Sequence, residues 1–73
     1  MRLIRCTALS KILLKPSYYV TQYIVKHGRI GLIVDDGIAY LNLDYALCIG
    51  EKLSIHSTRN KDEILEEIRN YDP

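Results

Sequence analysis

Two histidines, His27 and His56, two cysteines, Cys6 and Cys48, and the adjacent aspartates Asp35 and Asp36 are the side chains best placed by type for proton transfer, nucleophilic attack or metal binding. An imidazole becomes a general base, and a thiol or hydroxyl a nucleophile, only when the two are brought together, and neither histidine has a Cys, Ser or carboxylate at a spacing that belongs to a nucleophile motif. Both read as surface residues. Cys6 and Cys48 lie far apart and lack the CxxC or Cys/His spacing that closes a zinc site. They read as reduced, partly buried thiols, with a disulfide left open as the alternative for an exported chain. Asp35 and Asp36 form one acidic pair, whereas calcium takes about six to eight oxygen ligands, so a turn is the simpler role. Gly28 and Gly31 make a GxxG without the flanking glycines or the Lys-Ser/Thr of a phosphate loop. The expectation is no enzyme, no cofactor and no metal.

Binding chemistry is better represented. Residues 1–30 contain Arg2, Arg5, Lys11, Lys15, Lys26 and Arg29 and not one acid, while residues 31–73 contain all nine Asp and Glu against Lys52, Arg59, Lys61 and Arg69. A net charge of +1 conceals this division. Tyr18, Tyr19 and Tyr23 are interleaved with the cations, and Tyr and Arg carry much of the energy at protein interfaces. Tyr19, Tyr23, Lys26 and Arg29 are therefore the expected contact patch for a partner. A basic surface with exposed aromatics also suits nucleic acid, through backbone neutralisation and base stacking. The acidic tail offers a different use for the same cations, pairing with them within one chain or across a symmetric homodimer.

Seventy-three residues are enough for one domain and too few to divide a core in two. With 48% apolar and 26% charged residues the composition is that of an ordinary globular chain, which argues against disorder. No apolar run approaches the roughly 20 residues that span a bilayer, and Arg2 and Arg5 interrupt the start before a signal-peptide core can form, so a cytoplasmic protein without membrane partners is expected.

The elements that must position these residues are read from periodicity. Asn60 can cap a helix, with Glu63 completing a capping box and Asp62 favoured by the helix dipole. Ile64, Leu65, Ile68 and Tyr71 then recur at helical spacing, which predicts an amphipathic helix over 61–71. Period-two patterns predict strands at 29–34 and 38–43, joined through Asp35-Asp36-Gly37 as a three-residue hairpin. The run YYVTQYIV, rich in β-branched and aromatic residues, predicts a strand over 18–25. A helix stopped at Gly28 competes with it, because Val20, Tyr23, Ile24 and His27 also share a helical face. Gly50-Glu51 reads as a hairpin turn between strands 46–49 and 52–57. An extended start predicts a strand over 3–7, with Ile12 to Leu14 as a further one, although ALSKILLK also suits one or two helical turns before Pro16.

The sum is an α+β fold, a small antiparallel meander or barrel-like sheet with one C-terminal helix across a face or an opening. VKHGRIGLIV, residues 25–34, resembles the Gly-containing strand–turn–strand of KOW-type SH3-like domains. That resemblance implies binding to nucleic acid or to ribosomal and transcription proteins, and it carries over no particular residue. The functional expectation is a small non-enzymatic regulator or adaptor, of the size common among bacterial and phage accessory proteins, that binds a larger protein. A nucleic-acid-binding SH3-like module using the same basic tyrosine face is the alternative.

Overall fold

In the computed structural model, which describes residues 2–29 and 31–71, the chain runs β1 (Leu3–Arg5), α1 (Cys6–Leu13), α2 (Ser17–His27), β2 (Leu32–Asp35), β3 (Ile38–Asn42), α3 (Leu43–Leu53), a 3₁₀ turn (Ser54–His56) and α4 (Lys61–Arg69). The three strands form one antiparallel sheet in the order β1-β3-β2, open at both edges and not closed into a barrel. Ile4 pairs with Leu41, Leu41 also with Leu32, and Val34 with Ala39, so these five side chains share one face. The helices cover that face. Ile4 and Leu41 are fully buried there with Leu9 and Leu13 of α1, Val20 of α2, Ala46 and Ile49 of α3, and Ile64 and Ile68 of α4.

The β2–β3 hairpin forms where alternation placed it, but its turn is tighter than expected. Asp35 pairs directly with Ile38, and Asp36 and Gly37 both have positive φ, 52° and 76°. This is the two-residue Asp-Gly loop of type I′ rather than a three-residue turn. Gly37→Val forces a β-branched residue into the left-handed region, and a loss of about 1–2 kcal/mol is expected in chemical denaturation. An unchanged midpoint would show that residue 37 does not need that conformation.

Three of the expected strands are helices. Residues 18–25 lie in α2, where Val20 and Ile24, one turn apart, are buried against the core. Burial of that stripe outweighs the weak strand preference of β-branched and aromatic residues. Gly28 closes the helix, its N–H donating to the Ile24 carbonyl at 2.9 Å. The VKHG half of the KOW-like stretch is thus a helix end, so no strand–turn–strand spans it. Residues 46–49 and most of 52–57 lie in α3 and the 3₁₀ turn. The Asn42 side chain caps α3 by accepting from the N–H groups of Asp44 and Tyr45 at 2.8 and 3.4 Å. Gly50 is an interior residue of this helix and not a hairpin turn, and the methyl end of Ile68 on α4 occupies the space a side chain would need.

The start of the chain is extended only over Leu3–Arg5, and residues Cys6–Leu13 are α1 instead of the rest of strand 3–7 and a second strand. Leu14, left-handed at φ 55°, ends α1, with the N–H groups of Leu14 and Lys15 donating to the Lys11 and Ser10 carbonyls. The Ser57 hydroxyl and the Arg59 guanidinium take the next two carbonyls, those of Leu13 and Ile12. The segment leading into α4 is thereby fastened to the end of α1. The expected strand 29–34 is observed from Leu32, with Ile30 outside the described residues, and 38–43 gives up Leu43 to α3. Helix 61–71 is observed as α4, ending at Arg69. Among the described residues no helix is long and apolar enough to cross a membrane.

Candidate binding cleft

α2 carries Tyr19, Tyr23 and Lys26 at i, i+4 and i+7, a spacing that sets them on one helical face. That face borders an open cleft of about 660 Å³, completed by Gln22 and His27 from α2, Lys52 and Leu53 from the end of α3, and His56 from the 3₁₀ turn. Among the described residues no carboxylate lines it. Lys15 adds a further cation, its Nζ lying 5.2 Å from the centre of the Tyr19 ring. The three groups opposite α2 reach the cleft because α3 packs against α2, with Val20, Ile24 and Leu53 buried in the shared core.

The rings of the cleft are engaged with one another. Tyr19 stacks on Tyr18 at 5.0 Å and has His56 at 6.1 Å, and Tyr23 lies 4.3 Å from His27. Burial, reinforced by the neighbouring Cys48 thiol, pushes the Tyr23 phenol above its ordinary value. An ordinary tyrosine already ionises only near pH 10, so Tyr23 presents a neutral O–H able to donate to an anion. Tyr45 is shifted the same way, by burial and then by Cys48. Its hydroxyl donates to the Gly28 carbonyl at 2.6 Å and ties the start of α3 to the end of α2.

Three of the four expected contact residues, Tyr19, Tyr23 and Lys26, are therefore brought together. Arg29 is not among them. It lies beyond the end of α2 and lines a separate, mostly apolar cleft of about 140 Å³ with Ile24, Val25, Leu32 and Ala39. Lys52 and His56 were not expected in the patch, although their i, i+4 spacing is a helical signal once α3 is recognised. A second cleft of about 540 Å³ includes Arg5, Lys11, Tyr40 and Tyr71. There the Arg5 guanidinium already sits over the Tyr40 ring at 5.9 Å.

Cys6 and Cys48 are free and do not pair. Burial pushes the Cys6 thiol up, which disfavours its reactive thiolate. Among the described residues no three His, Cys, Asp or Glu side chains converge as a metal site would require. Among the described residues the ion pairs are Arg59 with Glu67 and Arg69 with Glu66, both inside the C-terminal segment, so no carboxylate of α4 makes an ion pair with a basic residue of the N-terminal segment. No protein-family model, curated protein or solved structure matches the chain.

Proposed function

We propose that this protein is a small non-enzymatic adaptor or regulator whose α2–α3 cleft receives an acidic segment of a larger protein partner. The observation that carries this reading is the lining of the cleft, where Lys26 and Lys52 stand with two tyrosines and two histidines and, among the described residues, without a carboxylate. Lysine ammonium groups are point charges that recognise carboxylates, and tyrosine supplies contact area at low entropic cost. Ile55, 80% exposed beside His56 in the 3₁₀ turn, offers an apolar contact next to the charges. No thiol or serine hydroxyl stands in the lining beside either imidazole, which supports binding rather than catalysis.

Nucleic acid is the second reading, favoured by the same mixture of cations and rings. It is placed second because the Tyr19 and Tyr23 rings are already covered by Tyr18, Lys15 and His27, leaving little free ring face for a base. The two readings separate in a capture experiment from native lysate, with nuclease treatment, a salt series and a Lys26→Glu/Lys52→Glu variant. Both lysines are exposed, so the variant is expected to fold as the parent does. A protein partner that survives nuclease and binds the variant about tenfold more weakly or worse is the expected result. Full retention by the variant would remove the cleft from the interface. Capture abolished by nuclease, with affinity falling steeply as salt rises, would install the nucleic-acid reading.

A further inference from the structure

β2 is a short edge strand whose one charge, Asp35, stands at its end and leaves the apolar stretch before it unguarded. Leu32–Asp35 has no Lys, no Pro and no bulge, and Ile33 and Val34 are 36% and 65% exposed. Edges of this kind are templates for further pairing unless something covers them. Asp35 pairs with Ile38 across the two-residue turn, so Ile33 and Asp35 direct their peptide groups toward β3 and Val34 directs both of its groups outward. The Asn42 N–H, donating to the Gly31 carbonyl at 2.8 Å, sets the same parity. The Leu32 N–H is taken by the Arg29 carbonyl at 3.0 Å, which leaves the Leu32 carbonyl to face out. The free edge thus offers one donor, at Val34, and acceptors at Leu32 and Val34.

We propose that β2 pairs antiparallel with β2 of a second copy about a two-fold axis at Ile33, merging the two sheets into one. In that register each Val34 N–H donates to the Leu32 carbonyl opposite. Ile33 meets Ile33 on one face and Val34 meets Leu32 on the other, so the pairs at the centre are apolar, while Asp35 falls opposite Gly31 and meets no side chain. Placing the axis at Val34 would instead set Ile33 against Asp35. Strand polarity adds charge complementarity, because Arg29 precedes β2 and Asp35 and Asp36 end it, so an antiparallel copy brings the basic start of one strand toward the acidic end of the other. Val34 also lies on the sheet face that carries the small apolar cleft of Val25, Leu32 and Ala39, and Val25 is itself 63% exposed. The isologous geometry closes after two copies and builds no fibre.

This surface is separate from the α2–α3 cleft, so the two proposals stand or fall independently. The test is sedimentation of the full chain from about 1 μM to about 1 mM, the range in which a small, weak interface associates. The parent chain is expected to rise to twice the monomer mass. Ile33→Glu and Ile33→Lys, each placing like charges at the axis, are expected to remain monomeric with unchanged circular dichroism. Mixed in equal amounts, they are expected to re-form a dimer at least about tenfold tighter than either alone. In the parent, slowing of Val34 amide exchange with concentration is expected and requires no variant. A parent that stays monomeric throughout, an Ile33→Glu chain that still dimerises, or a mixture that does not, would overturn the proposal.

Discussion

Truncation after Thr58 is expected to unfold the protein. The cut removes α4, whose Ile64 and Ile68 are fully buried, together with Leu65, which packs toward Gly50 on α3. Burying one such side chain is worth about 1.5–3 kcal/mol. Three of them approach the roughly 4–11 kcal/mol that a chain of this length has in total, at about 0.05–0.15 kcal/mol per residue. The truncation also removes Arg59, which donates to the Ile12 carbonyl at the end of α1. Loss of helical circular dichroism or aggregation from newly exposed Ala46, Ile49 and Leu53 is the expected outcome. A truncated chain that stays folded and monomeric would mean that α4 is an appendage to a core completed without it.

Gly31→Ala carries the second large effect. A Cβ at residue 31 would stand 2.5 Å from the Cβ and Cδ2 of Tyr45 and 2.7 Å from its Cγ. Tyr45 has no easy retreat. Its backbone is held in the capped first turn of α3, and its hydroxyl is bonded to the Gly28 carbonyl. Overpacking of this kind costs about 1–3 kcal/mol, and a position where backbone-proximal atoms collide belongs at the upper end. In a domain this small that lowers the melting temperature by about 10–20 °C. Thermal unfolding checks it, and an unchanged midpoint would show that the link from α2 to β2 runs clear of Tyr45. Because the same collision opens the join between α2 and α3, the variant is also expected to loosen the cleft that the two helices form.

Where burial and local chemistry agreed, the elements were legible. Asn60, Asp62 and the Ile64, Leu65, Ile68 spacing announce α4, and the observed cap is the Asn60 side chain accepting from the Asp62 N–H at 2.7 Å. Asp36-Gly37 announces the hairpin. α2 was not legible in the same way, because Val20, Thr21, Ile24 and Val25 individually favour a strand and only their packing in three dimensions favours a helix. α3 was hidden by Gly50, which locally suggests a turn. Its reason for being glycine lies on another helix, in the room that Ile68 needs.

Three residues of the expected patch share one cleft despite the wrong element. Tyr19 and Tyr23 are four residues apart, a separation that shares a face both on a strand and on a helix, so their pairing holds under either reading. Lys26 joins them only at the helical period. Arg29 lies apart from them because the helix has ended by then, and it lines a different cleft. Lys52 and His56 were invisible as partners of Tyr19, since no local pattern records that α3 lies beside α2.

The order of strands in the sheet governs how the chain reaches this state. β2 and β3 are neighbours in sequence, joined by a two-residue turn that can close in about 1–10 μs. β1 reaches β3 only after α1, α2 and the whole hairpin have been drawn into the intervening loop, and Ile4 finds its place beside Leu41 only then. Closing a long loop costs entropy before any contact repays it. The pairing of Leu3–Arg5 is therefore expected to form late, with the hairpin as its template. Changes in the length or stiffness of the segment around Leu14 and Pro16 act on the rate of that pairing step, although neither residue belongs to a strand.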